Sequence, residues 1–302
     1  MSVLDFHNLL KFQSIWKSIP FHSSSDQQLV RHFSQQLLDS EKNASDIEKR
    51  KKQCYEVLQR FPKISSRSKD ISQAYSLFME ERKVAWLYLS LALYHHKYDF
   101  ILDNDSAKQL EKVATIQATK RVILAPFHMG MHTMSISLLL RFLNSITIMV
   151  NSDEIDIISE WTSTYLAPEI KNNIKMVPIP SPTSPLKFAK AIMRGSTGVI
   201  FPEFSYGINQ DFVQLDFLGG VFHAPIGVYE LGKRLSAVVI PIGSIWNNKT
   251  STIEMKVGNP LDAKQLNQVD FLQSLFQQGE QWICTHPEQW FWEYVSEQST
   301  NV

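Results

Sequence analysis

The chain has 302 residues, of which 44% are hydrophobic and 20% are charged. This apolar content is enough for a large buried core, so the composition excludes a disordered chain and a fibrous repeat. Thirty basic residues balance thirty acidic ones, so no overall field attracts nucleic acid or an anionic membrane, and we expect no nucleic-acid partner.

The two cysteines and the first residues bear on location. Cys54 and Cys284 form no CxxC pair, which argues against a disulfide framework and favours a reducing compartment. The start of the chain carries Asp5 and lacks the basic flank, apolar run and cleavage site of a signal peptide. The longest apolar stretches, 84–94 and 135–150, are shorter than the roughly 20 residues of a membrane-spanning helix. We therefore expect a cytoplasmic protein.

Peripheral contact with the inner membrane stays open at this stage. Four aromatic residues near the start of the chain are Phe6, Phe12, Trp16 and Phe21. An amphipathic helix that carried them could lie on a membrane surface, although a helix that packs on the rest of the protein explains them as well.

The first part of the chain predicts helices and no persuasive strand. Apolar residues recur at spacings of three and four, as at Val84, Leu87 and Leu91. The segments with this spacing are 26–40, 45–60, 70–100 and 105–118. We therefore predict that residues 1–118 form a helical N-terminal cap on the domain that follows, rather than an independent unit.

From Arg121 onward, strand and helix patterns alternate. Runs rich in β-branched residues predict buried strands at 121–127, 145–150, 198–204, 236–246 and 251–258. Helical patterns lie between most of them, at 129–143, 153–171, 185–194 and 224–234. This alternation predicts an α/β fold over residues 119–302, with a mostly parallel central sheet flanked by helices. The last two strands predict an antiparallel hairpin at one edge, and the proline-rich segment 175–185 predicts an extended loop.

Two polar residues stand at the ends of predicted strands. His128 follows the strand at 121–127, and Glu203 lies near the end of the strand at 198–204. Ligands of open parallel sheets bind beyond the carboxyl ends of the strands. A histidine in the first turn of a helix feels the positive end of the helix dipole, which favours the neutral imidazole of a general base. A structural histidine that caps the turn is the open alternative.

Several other chemistries lack their motifs. His128 and His132 share a helix face, but HMGMH has no glutamate of an HExxH zinc motif, and only Glu203 or Asp211 could complete a ligand set. Ser205 has none of the glycines of a hydrolase nucleophile elbow. No GxGxxG or Walker loop is present either. We therefore predict neither a metal site nor a nucleotide-phosphate loop.

Five motifs follow one another across 121–292. A strand ends in His128-Met129-Gly130, and FPE at 201–203 follows Arg194 and Gly195. A bulky glycine-containing loop, a proline-containing strand and PEQWFW then occupy 217–220, 238–241 and 287–292. This order resembles the lysophospholipid acyltransferase superfamily, and most closely its bacterial lipid A biosynthesis branch, the lauroyl and myristoyl acyltransferases.

The resemblance implies transfer of an acyl group from a thioester to a hydroxyl or amine. The donor would be acyl carrier protein or acyl-coenzyme A, with no further cofactor. By similarity His128 is the base and Glu203 an orienting or acceptor-binding acid. Residues assigned to substrate binding are His132, Thr133, Arg194 and Ser205. Trp290 and Trp292 are interpreted as packing residues for the C-terminal helix.

One position departs from the family pattern. The family has an acidic residue five positions after the histidine, and this chain has Thr133 there. A hydroxyl cannot stabilise a developing imidazolium as a carboxylate does. Either Glu203 replaces the missing acid, or the acceptor is an amine or another strong nucleophile for which a weaker base suffices, or the reaction is not ordinary acylation. A further alternative is that catalysis is lost. The last case would leave a protein that binds an acyl carrier or lipid; a thioester hydrolase or condensing catalyst is a further alternative.

The acceptor and the donor phosphate are the remaining expectations. The membrane-anchoring helix usual at the start of the family is not found in the sequence, which points to a small-molecule or carrier-tethered acceptor. Cations that could bind a phosphopantetheine phosphate are Arg141, Lys187, Lys190, Arg194, Lys233 and Arg234.

Overall fold

Helices make up most of the described chain before the first long strand. The computed structural model describes residues 44–166, 168–204 and 211–292. Its first helices are α1 (Ala44–Leu58), α2 (Pro62–Ser65), α3 (Ser68–Tyr94) and α4 (Asn104–Gln117), with a 3-10 turn at Tyr98–Phe100. The helix predicted at 26–40 and the four aromatic residues near the start lie outside the described residues, as does Ser205.

The strands confirm the predicted α/β fold. They are β1 (Val122–Pro126), β2 (Ile146–Asn151), β3 (Ile174–Ile179), β4 (Thr197–Val199), β5 (Phe212–Phe217), β6 (Gly220–Pro225), β7 (Val238–Asn247), β8 (Thr252–Val257) and β9 (Leu261–Asp262). The main sheet has the order β3-β2-β4-β1-β7-β8, parallel from β3 to β7. β8 and β9 pair with β7 antiparallel, so the predicted edge hairpin is also confirmed.

The remaining helices flank this sheet. They are α5 (His132–Leu139), α6 (Ile155–Tyr165), α7 (Pro168–Lys171), α8 (Ser184–Met193), α9 (Gly227–Leu235) and α10 (Gln268–Thr285), with 3-10 turns at Ser152–Glu154 and Pro287–Gln289. β1 is buried along its whole length, and β7 is buried up to its last residue. Helices therefore cover both faces of the sheet centre, as expected for parallel strands.

Two segments differ from the sequence expectations. The segment 175–185, predicted as a loop, contains most of β3, which pairs in parallel with β2 from Ile174 to Ile179. β3 is an edge strand, and an edge tolerates the missing N–H of a proline. The second segment, 212–225, forms a separate antiparallel hairpin of β5 and β6. Only a glycine-containing loop had been recognised there.

α3 contains the apolar stretch at 84–94. Every residue from Val84 to Leu93 in this helix is buried. The stretch therefore serves the protein core, where a helix surrounded by protein is apolar on all faces. Within the described ranges, no helix combines the length and hydropathy that a membrane span requires.

Candidate active site

The loop after β1 leaves the sheet abruptly at its carboxyl end. The Phe127 N–H still donates to the carbonyl of Ile242 on β7, at 2.9 Å. Three residues later Gly130 has a φ of 56°, and a Cβ atom there would lie 2.0 Å from the carbonyl oxygen of Ser244. Only glycine fits this close approach in the left-handed region. The turn places His128 beside the end of the neighbouring strand β4.

Glu203 reaches His128 from the turn that follows β4. The Glu203 Oε2 atom accepts the backbone N–H of His128 at 2.7 Å and lies 2.9 Å from the ring Nδ1. Both residues are buried, Glu203 to 2% exposure. A carboxylate only accepts hydrogen bonds, so we assign the ring proton to Nδ1. This tautomer leaves Nε2 as the basic nitrogen of the ring.

The turn itself accounts for this reach. The predicted strand at 198–204 ends at Val199, and the following residues leave the sheet. Phe201 stacks on the His128 ring at 4.0 Å between centroids and 22° between planes. The sequence offered Glu203 beside His128 as one of three alternatives, and the structure places the two residues in contact. The predicted strand was too long by five residues.

Trp290 holds the other oxygen of Glu203. Its indole Nε1–H donates to Oε1, and the tryptophan is completely buried. The packing role expected for Trp290 was therefore incomplete. The PEQWFW motif was the available sequence signal, but a motif does not show which atom meets the indole nitrogen.

His132 stands edge-on to His128 as the first residue of α5. The ring centroids are 5.1 Å apart, with 77° between the planes. Burial lowers the pKa of His132 well below its usual value of 6.5, and the charges of His128 and Arg82 lower it further. Its Nδ1 has no hydrogen-bond partner in the part of the chain that the structure describes. His132 is therefore a neutral imidazole at neutral pH.

Arg82 lies close to the loop after β1. The sequence analysis did not predict this contact. Arg82 is buried in α3, its Nε donates to the Gly130 carbonyl at 3.3 Å, and its guanidinium lies 4.4 Å from the Phe291 ring centroid. The available signal was a basic residue two positions before a buried apolar run. Forty-six residues separate it from His128, so periodicity alone could not connect the two.

The structure does not bring every predicted site residue to His128. Thr133 is half-buried in the first turn of α5. Arg194 ends α8 just before β4 begins, whereas His128 follows the carboxyl end of the parallel strand β1. Arg194 therefore lies at the opposite edge of the sheet, against the expectation that it lines the same site.

Three of the other cations suggested by the sequence for the donor phosphate are Lys233, Arg234 and Arg141. Lys233 and Arg234 end α9, before β7 begins, and Arg234 pairs with Glu230. Arg141 pairs with Asp99 at 3.1 Å. A surface cleft opens at the amino ends of the strands, and its lining includes Arg121 and Ser236. It is therefore separate from the His128 site.

The residues of the site do not form a cluster suited to a metal. Among the described residues, no group of three histidine, cysteine or carboxylate side chains is placed to hold an ion. His128 and His132 are perpendicular, and Nδ1 of His128 already faces Glu203.

An α/β sheet with a histidine–carboxylate pair at the carboxyl ends of its strands is an arrangement suited to acyl transfer. The model of the bacterial lipid A biosynthesis acyltransferase family matches residues 90–293, more than half of the chain, and includes His128, Glu203 and Trp290. The chain therefore belongs to this family, and membership indicates an acyltransferase. A comparison with curated proteins gives no match.

Proposed function

We propose that the protein transfers an acyl group from a thioester donor to a hydroxyl or amine acceptor, with His128 as the general base. The donor is acyl carrier protein or acyl-coenzyme A. The hydrogen bond between His128 Nδ1 and Glu203 carries this proposal, because it fixes the tautomer and orientation that a base needs. Family membership supports acyl transfer as the reaction.

The proposed reaction moves one proton through His128. Nε2 accepts the proton of the acceptor while the acceptor oxygen or nitrogen attacks the thioester carbonyl carbon. The tetrahedral intermediate then collapses as the C–S bond breaks, and the imidazolium returns the proton to the leaving thiolate. A positioned base of this kind contributes about 10²- to 10⁴-fold to the rate.

Glu203 takes the place of the acid that the family has five positions after its histidine. Thr133 occupies that position, and Glu203 contacts the imidazole instead. Both Glu203 oxygens are engaged, by His128 and by Trp290, and the side chain is 2% exposed. We infer that Glu203 orients and stabilises the imidazolium and does not bind the acceptor.

For the acceptor we keep the expectation from the sequence, a small molecule or a carrier-tethered intermediate. Peripheral membrane contact and a cytoplasmic location likewise remain predictions. The experiment therefore varies the acceptor, and the acceptors tested include a lipid A precursor in detergent.

Thiol release from acyl-coenzyme A and acyl carrier protein thioesters, with and without the acceptors, tests the proposal. We expect release that depends on an acceptor and produces an acylated acceptor by mass spectrometry. Release without acceptor would indicate a hydrolase, and binding of the thioester without any release would indicate a non-catalytic protein; either result would contradict the proposal.

Two variants test the base in the same assay. His128→Ala should lower kcat by about 10²- to 10⁴-fold. The matched control is His286→Ala, because His286 is a partly exposed histidine at the end of α10. Full activity of His128→Ala would remove the proposed base.

A further inference from the structure

The C-terminal end of the described chain is bonded to both members of the proposed catalytic pair. The backbone N–H of Phe291 donates to the His128 carbonyl at 2.9 Å, and the Gly130 N–H donates to the Gln289 carbonyl at 2.8 Å. The Trp290 indole donates to Glu203 between these two contacts. The segment 289–291 thus spans the loop after β1 and the turn after β4.

The indole of Trp290 is fixed by aromatic neighbours on several sides. Its ring centroid lies 4.4 Å from that of Trp292, 5.4 Å from Phe217 and 6.3 Å from Phe61. Phe217 ends β5 and Phe61 directly precedes α2, so different elements of the fold hold the indole in place. Its N–H is therefore directed at Oε1 by packing that does not involve His128.

We propose that Trp290 is a positioning residue for acyl transfer: its N–H fixes the Glu203 carboxylate with Oε2 against His128. This inference rests on the proposed function. Three N–H groups surround the carboxylate, from the His128 backbone, the His128 ring and the indole. The indole is a donor that belongs to neither His128 nor Glu203.

A packing role alone does not account for this geometry. Trp292 lies in the same aromatic cluster and is equally buried, but its Nε1–H donates to the backbone carbonyl of Pro287 at 2.9 Å. A buried indole N–H needs an acceptor, and a backbone carbonyl is sufficient. In Trp290 the acceptor is the carboxylate that orients the proposed base, so the two tryptophans form a matched pair for an experiment.

Trp290→Phe and Trp292→Phe make the same deletion at the two sites. We expect Trp290→Phe to lower kcat by on the order of 10- to 100-fold, as for outer partners that orient a reacting group, with little change in KM. Trp292→Phe should keep both kcat and KM. Equal losses in the two variants, or no loss in either, would overturn the proposal.

A second measurement needs no turnover and uses the full-length chain labelled with ¹⁵N-tryptophan. The seven indole N–H signals are assigned by single Trp→Phe variants of the other six tryptophans, which leaves the Trp290 signal as the remaining one. Glu203→Gln should shift the Trp290 indole proton upfield more than any other, since a neutral amide is a weaker acceptor than a carboxylate. An unshifted Trp290 signal would overturn the proposal. This NMR measurement tests the proposal even if Trp290→Phe fails to fold. A wild-type protein that shows the expected shift but has no transferase activity would contradict only the proposed function.

Discussion

At the scale of single residues, the site depends on a carboxylate that the family pattern places elsewhere. Glu203 is 75 positions from His128 in sequence, yet it bonds to both the backbone and the ring of that histidine. Thr133 could therefore replace an acid without removing the charge beside the imidazole. The sequence showed the departure and offered Glu203 as one replacement, but it could not decide among the alternatives, because the distance between two strand ends depends on sheet order.

Glu203→Gln tests this compensation. The amide keeps the shape of the side chain but removes its charge and can present N–H to Nδ1, which favours the wrong histidine tautomer. We expect kcat to fall by about 10²- to 10⁴-fold. The control is Glu254→Gln, which changes a half-exposed glutamate paired with Lys256 on β8. Equal rates in Glu203→Gln and wild type would contradict the assigned role.

His132 makes a prediction for stability against pH. Its pKa is lowered in the folded protein, mainly by burial, so below about pH 6.5 the unfolded chain binds a proton that the folded protein does not. The contribution of the neutral His132 to the free energy of unfolding is fully present above this pH, and it declines as the pH falls towards the lowered pKa. Urea unfolding at pH 7.5, 6.0 and 5.0 should show the wild type losing up to about 1.4 kcal/mol per pH unit more than His132→Phe. Parallel curves would contradict this assignment.

At the scale of elements, the turns that end β1 and β4 build the site. The sequence located both strands, but it extended β4 through Glu203, because an apolar run does not show where a chain leaves a sheet. It missed β3 because prolines conceal an edge strand, and it missed the hairpin of β5 and β6, in which exposed and half-buried positions interrupt the buried ones. The positive φ of Gly130 had no recognised signal either, although the glycine itself was part of the motif.

Gly130→Ala tests the turn after β1. The alanine Cβ would lie 2.0 Å from the Ser244 carbonyl, so the backbone must move. Gly195→Ala is the control, because Gly195 also has a positive φ, of 95°, but nothing lies within 4 Å of an added Cβ. We expect Gly195→Ala to cost about 1–2 kcal/mol from backbone strain, and Gly130→Ala to cost more and to abolish transfer. Equal losses of unfolding free energy in the two variants would contradict this prediction, because the backbone around residue 130 would then accommodate the added Cβ at no extra cost.

At the scale of the whole molecule, the helices before β1 share a core with the sheet. Arg82 of α3 donates to Gly130 in the loop after β1, and Ser106 of α4 accepts the backbone N–H of Met255 on β8. Composition and periodicity predicted helices before residue 118 and an α/β sheet after it. They could not predict these contacts, because a buried hydrogen bond between distant segments leaves no local pattern.

Arg82→Met tests the link between α3 and the site. It removes a buried charge-assisted hydrogen bond and the contact over Phe291, so we expect a loss of about 1–3 kcal/mol in unfolding free energy. The pKa of His132 should rise, because the Arg82 charge lowers it. Arg50→Met is the control: its guanidinium pairs with Glu80 at a partly exposed position, where a loss below about 1 kcal/mol is expected. Chemical denaturation and histidine NMR titration give the two readouts.

The bonds from 289–291 to the loop after β1 also set an order of events during synthesis. Ribosomes release a polypeptide from its amino terminus, so the sheet strands leave the exit tunnel before Trp290 does. Until that indole arrives, the carboxylate of Glu203 lacks the hydrogen bond that the indole donates to Oε1. A nascent chain stalled before Pro287 would therefore contain His128 and Glu203 but not the indole that donates to Glu203.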